Sequence, residues 1–263
     1  MKYFVDNCCF FKFIYIPLQH VSLKYIVKSM KKLFILAAMM VAAVSANAQF
    51  EPGTFSIQPK IGGNISWLSN TPNMPLEDVD GRQIELKKSP IIGALIGAEA
   101  EYQLANMFSL AAGVNFSMQG SGWKDYDEKI GDVKFDIKDN KMNLYYINVP
   151  VVANVYLFKG FAVKAGVQVG FLVKANYELS ATVKDESTKE TVTTKIDRSF
   201  TSDCKKVDVA IPMGVSYQVP TIPIVIDARY NLGLTKVNKE SEEGYKDVKN
   251  NVIQLTVGYK FAL

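Results

Sequence analysis
Eight segments of this chain alternate apolar and polar residues with a period of two, and that alternation limits the fold more than any other feature of the sequence. A period of two puts successive side chains on opposite faces of a strand. In the last segment Ile253, Leu255, Val257, Tyr259 and Phe261 share one face, while Gln254, Thr256, Gly258 and Lys260 share the other. The eight segments are Phe55–Leu68, Ile91–Leu104, Phe108–Gln119, Met142–Leu157, Phe161–Tyr177, Lys205–Val219, Ile222–Val237 and Asn251–Phe261. All exceed the roughly 5–6 residues usual in soluble sheets, and they suit tilted membrane strands of about 9–11 residues with rim extensions.

The connections alternate strictly between short and long. Ala105-Asn106-Met107, Phe158-Lys159-Gly160 and Pro220-Thr221 are tight turns, whereas Ser69–Pro90, Gly120–Lys141, Glu178–Cys204 and Asn238–Asn250 read as long polar loops. An even-stranded antiparallel meander with short turns at one rim and long loops at the other predicts an all-β, eight-stranded, up-and-down transmembrane β-barrel, with periplasmic turns and extracellular loops. Aromatics on the apolar face fall into two girdles. Phe55, Tyr102, Phe108, Phe161, Tyr217, Tyr259 and Phe261 lie near the short turns, and Trp67, Phe116, Tyr145, Phe171 and Tyr177 near the long loops. Ile61, Ala98, Ala112, Val151, Val167, Met213 and Ile226 form the band between them, as in a lipid-facing surface. The competing reading is a soluble lipocalin-like barrel or sandwich with its apolar face inward and its polar face in water. Against it, the other face is rich in Gly, Ser, Asn and Gln, which suits a narrow lumen.

Upstream of the strands, Met30-Lys31-Lys32, the apolar run Leu33–Val44 and Ser45-Ala46-Asn47-Ala48 form the basic head, core and small-residue cleavage site of a secretory signal. The core is shorter than the roughly 20 residues a transmembrane helix needs. The expected organisation is a signal peptide over residues 30–48, cleaved after Ala48, and a barrel domain over 49–263. Residues 1–29 are read as a spurious extension ahead of a true start at Met30.

Removing the leader changes the charge. Six of the 30 Lys and Arg and one of the 26 Asp and Glu precede Gln49, so 24 bases face 25 acids and the formal charge of +4 becomes −1. A basic nucleic-acid surface is therefore not indicated. Cys8, Cys9 and the only histidine, His20, also lie upstream, which leaves Cys204 alone. No internal disulfide, histidine metal site or Ser-His or Cys-His pair can then form. The reading is non-enzymatic and without cofactor. Cys204 is expected as an exposed loop thiol.

Nine charged residues fall on the lumen face: Lys60, Glu99, Glu101, Lys164, Lys174, Asp208, Asp227, Arg229 and Lys260. Glu99 and Glu101 could do acid–base work, but charges in a narrow barrel more often neutralise one another. The predicted structural network is Lys60, Glu99, Glu101, Lys164, Asp227, Arg229 and Lys260 in the short-turn half. Within it Lys60, Glu101 and Lys260 meet across strands one, two and eight, and a separate Lys174–Asp208 pair lies nearer the loops. Pro150 and Pro212 sit inside strands, where each removes a ladder donor, and bulges are expected there. Gly166 and Gly170 alternate within a strand and do not form a phosphate loop.

Pro59-Lys60-Ile61-Gly62-Gly63-Asn64, Ile147-Asn148-Val149-Pro150, Asp227-Ala228-Arg229-Tyr230-Asn231-Leu232-Gly233-Leu234 and Gly258-Tyr259-Lys260-Phe261 together resemble the PorT-like outer-membrane β-barrel proteins of Bacteroidetes, similar in architecture to the small OmpA/OmpX-type barrels. The likeness covers nearly all of the chain after the leader. It implies an outer-membrane location among lipid and lipopolysaccharide, and insertion by the barrel-assembly machinery. The expected role is structural or interactive, with the loops contacting an unidentified envelope or extracellular protein. A small-ligand binding or transport barrel is the alternative.

Overall fold
The computed structural model describes residues 51–77, 83–158, 160–239 and 247–263. The proposed leader, its cleavage point and the Met1–Ser29 segment lie outside them. Eight long strands form the wall: β1 (Phe55–Ser69), β2 (Ile91–Ala105), β3 (Phe108–Trp123), β4 (Val133–Phe158), β5 (Phe161–Asp185), β6 (Val207–Gln218), β7 (Ile224–Gly233) and β8 (Lys249–Tyr259). Each pairs antiparallel with the next, and β8 returns to β1 with Lys60 opposite Gly258 and Ser69 opposite Lys249, so the ladder closes into a ring of eight. Closure leaves the wall without an edge. No described helix is long and apolar enough to cross a membrane.

Period two sorts the side chains into two environments. Outward residues such as Ile61, Ile92, Val114, Val167 and Leu255 are exposed, Ile92 by 79 %. Inward neighbours such as Ser56, Lys60, Asn115, Asn154 and Asp227 are buried. A sheet with apolar residues outside and polar ones sealed inside reverses the arrangement of a water-soluble barrel, and hydrocarbon is the solvent it fits. Lumen-facing glycines let strands approach closely. A Cβ on Gly214 would lie 2.1 Å from the Ala228 carbonyl oxygen and 2.9 Å from the Arg229 Cα. The tight turn at Gly160 needs glycine for another reason, its φ of +79°.

Neither Pro150 nor Pro212 makes a bulge. The β3–β4 ladder skips from the Ala112–Val151 pair to Asn115–Asn148 in unchanged register around Pro150. The β5–β6 ladder likewise skips from Ala210–Gln168 to Met213–Ala165 around Pro212. A missing donor on one side interrupts one ladder while the ladder on the other side continues.

The largest departure from expectation lies beyond the long-connection rim. Gly120–Lys141 and Glu178–Cys204 are mostly strand: β4 and β5 run on together, flanked by Tyr126–Ile130 on one side and Thr191–Ser199 on the other. The result is a four-stranded sheet standing on the barrel wall. Its polar composition suggested loops, but one of its faces carries a stripe of apolar residues.

Two bulges decide which residues face inward there. Tyr145 pairs with Lys174 and Tyr146 with Leu172, so Val173 is the extra residue and β5 reverses its facing beyond it. Lys174 is consequently exposed on the outer side, and Tyr177 turns inward against the buried rim cluster instead of joining the outer girdle. A second register shift between Lys138 and Lys141 includes Asp139 at φ 54°.

Candidate functional site
The lumen is filled in three layers. Nearest the short turns lies the ionic layer, whose seven charged residues are each only 1 to 6 % exposed. Arg229 on β7 is its hub. Nη1 and Nη2 donate to the two Glu99 carboxylate oxygens at 2.6 and 2.7 Å, while Nε and Nη2 donate to the two Asp227 oxygens at 2.7 and 2.8 Å. Lys60 donates to Glu99 at 2.5 Å and Lys164 to Asp227 at 2.5 Å. A rigid guanidinium fork can bridge two carboxylates in this way, and charge-assisted bonds of this kind are the strong ones.

Glu101 belongs to a neighbouring group. It accepts from Lys260 at 2.8 Å, from Tyr156 at 2.5 Å and from Ser109 at 2.6 Å. Asn154 donates to Ser109 at 2.9 Å, and the Lys260 ammonium lies 5.8 Å from the centre of the Tyr156 ring. The expected meeting of Lys60, Glu101 and Lys260 is therefore corrected: Lys60 goes to Glu99, and Lys260 alone meets Glu101. Arg229, on β7, reaches Glu99 across the lumen and shares that carboxylate with Lys60. Tyr156 carries no charge and so was not among the lumen residues read from the sequence. Its even number, shared with Asn148, Val152 and Asn154 along β4, was the signal for the lumen.

The middle layer is made of amides and hydroxyls. Asn64 and Gln119 both donate to Ser117, at 3.1 and 2.9 Å, Asn250 donates to Gln119 at 2.6 Å, and Asn148 donates to Asn115 at 3.2 Å. These neutral groups bond to one another across four strands without adding charge.

The third layer, at the long-connection rim, is apolar. Leu68, Met142, Leu144, Tyr146, Leu172, Ala175, Cys204 and Val237 form one buried cluster, with Trp123, Tyr177, Phe200 and Val248 packed against it. Leu144 and Tyr146 share the lumen side of β4 with Asn148, so the change from polar to apolar along a single face marks the cap. The predicted Lys174–Asp208 pair does not form. The bulge at Val173 sends Lys174 outside, and Asp208 accepts instead from the Thr235 hydroxyl at 2.6 Å.

Cys204 is likewise corrected. The single turn Thr201–Asp203 carries it over the mouth of the lumen, where it bridges to Asn238 and is 3 % exposed. Burial pushes its thiol up to about 12. A thiol reacts as thiolate, so a small maleimide at pH 8 is expected to leave the folded protein unlabelled and to label it fully in denaturant. Rapid stoichiometric labelling without denaturant would contradict the packed cap.

Outside the lumen, the four-stranded sheet has two unlike faces. Phe135, Val183 and Val192 align across three strands, with Ile137, Leu179, Ala181 and Ile196 on the same side. Opposite them lie Lys129, Lys134, Asp136, Lys184 and Lys195. Val192 and Ile196 are 63 and 40 % exposed. Because β5 has no extra residue between Ala175 and Val183, this apolar face continues the inward face of the rim.

A closed eight-stranded ring with an apolar exterior and a packed polar interior defines a transmembrane β-barrel. The profile described as "Outer membrane protein beta-barrel domain" matches residues 47–239, and the chain belongs to that family. Among solved structures it is similar to Ail of Yersinia pestis, at 15 % identity over 80 % of this chain and 99 % of that one with a TM-score of 0.36. It is similar to Neisserial surface protein A, at 16 % identity over 79 % of this chain and 97 % of that one with a TM-score of 0.37. Likeness extends to the outer membrane protease OmpT of Escherichia coli, at 10 % identity over 85 % of this chain and 100 % of that one with a TM-score of 0.29. No curated protein matches the chain.

Proposed function
We propose that this outer-membrane barrel is a non-enzymatic anchor that holds its four-stranded sheet outside the cell as a contact surface for protein. In this reading the segment Met30–Ala48 is the cleaved export signal, the short turns face the periplasm, and the barrel-assembly machinery inserts the chain among lipid and lipopolysaccharide. The resemblance to PorT-like barrels is consistent with a place in an envelope assembly. The observation that carries the proposal is the sheet itself: outside the lipid-facing wall, Val192 and Ile196 expose apolar surface on an ordered strand whose outer edge has no neighbour among the described residues. Exposed apolar patches and open strand edges are features of interaction sites. The filled lumen favours this role over passage of a small ligand.

A photo-crosslinking residue placed at Val192 in intact cells tests it. A discrete protein adduct is expected from Val192 and none from Ile92, which faces lipid. Absence of any protein adduct at Val192 would overturn the contact-surface reading.

A further inference from the structure
Thr191–Ser199 is a nine-residue strand paired, among the described residues, on one side only, with β5. An edge of this length is a template for another strand. Its sequence, with the preceding glutamate, is Glu190-Thr-Val-Thr-Thr-Lys-Ile-Asp-Arg198. Read against itself in the antiparallel direction and centred on Thr194, it places Val192 opposite Ile196, Thr193 opposite Lys195 and Glu190 opposite Arg198, with each pair occurring twice. Glu190 is already held in line with the strand, since its carbonyl accepts from the Asp185 amide at 2.9 Å and closes the hairpin.

Neighbouring registers lose this match. A slip of one residue sets the apolar face against the charged one. A slip of two sets Lys195 against Lys195 and Val192 against Arg198 in one direction, and Glu190 against Ile196 in the other. Within two residues of it, no other register both keeps apolar residues together and opposes unlike charges, the pattern that stabilises cross-strand pairs, and the Thr194-centred register overlaps most of the strand.

The geometry points to a second copy of this chain as the occupant of the edge, bound strand to strand about Thr194. The inference rests on the contact-surface reading and names its partner. A two-fold axis relating antiparallel strands stands normal to the sheet. The sheet continues a barrel wall that stands upright in the bilayer, so the axis lies in the membrane plane and the two barrels sit in opposed membranes. The contact therefore tethers membrane to membrane. One such strand pair is small, and adhesion comes from many copies acting together.

The test uses the full-length barrel in lipid vesicles, with clustering followed by light scattering and folding checked by heat-modifiable gel migration. Wild-type vesicles are expected to cluster. Arg198→Glu opposes Glu190 to a glutamate, and Glu190→Arg opposes Arg198 to an arginine. Each alone is expected to raise the protein density needed for clustering about tenfold or more. Mixing the two variant populations restores both attractive pairs, and clustering with them. Wild-type vesicles that stay dispersed, single variants that cluster like wild type, or mixing without rescue would each overturn self-pairing. If Val192 nevertheless crosslinks another protein in cells, the contact-surface reading survives that failure; if Val192 gives no adduct, the contact-surface reading itself has failed.

Discussion

Arg229→Ala is expected to lower the thermal unfolding midpoint of the detergent-solubilised barrel more than any single change in the sheet beyond the rim. The arginine makes four hydrogen bonds to two carboxylates that are themselves sealed from solvent. Among the described residues, Glu99 is then left with Lys60 and Asp227 with Lys164 as ionic partners. Removing one partner of a buried ionic group typically costs about 3–5 kcal/mol, because the remaining charge has no water to return to. Lys189→Ala, at an exposed turn, should stay within about 0.5 kcal/mol of the parent. Arg229→Lys should fall between them, since one ammonium cannot hold two carboxylates bidentately. Equal midpoints for Arg229→Ala and Lys189→Ala, read from the temperature at which the compact gel form disappears, would show that the network does not hold the barrel together.

The purified barrel is also expected to pass no steady ion current in a planar bilayer. Eight strands enclose an interior about wide enough for side chains alone, whereas water-filled porins use roughly 16–18. Here that interior is filled by the ionic layer, the amide layer and the apolar cap in series. An ion entering from the long-connection rim meets the apolar cap, in which Leu144 and Tyr146 are almost fully buried. An ion entering from the other end meets the Lys260–Glu101 and Arg229–Glu99 groups. Tyr146→Ala should therefore not open a pore, because the ionic layer remains closed behind it. Large, long-lived current steps from the wild-type protein would refute the plugged lumen.

The alternation of residues such as Ile253 to Phe261 gave the strands, and the short turns at Asn106-Met107, Lys159-Gly160 and Pro220-Thr221 gave their order. Both signals are local. Side-chain facing follows from the period of two, and a tight turn joins only neighbours. That logic also placed Lys60, Glu99, Glu101, Lys164, Asp227, Arg229 and Lys260 on one side of the wall. It failed at Lys174 and Tyr177, where one extra residue at Val173 reversed the facing of everything beyond it on β5. No residue type in Leu172-Val173-Lys174 announces a bulge.

By itself, then, the sequence determined which residues face lipid and which face the lumen as far as the Val173 bulge, and that the strands follow one another in an even meander. Period and turn length are properties of short stretches of chain. Partner choice within the lumen required closure of the ring. Arg229 and Glu99 are 130 residues apart and meet only because β8 returns to β1. That Lys60 took Glu99, beside Arg229, while Lys260 took Glu101 was settled only across the closed lumen. The burial of Cys204 over the mouth of the barrel and the growth of two polar connections into a sheet were decided at the same level. Each depends on ladders and packing between segments whose separation along the chain leaves no trace in local composition.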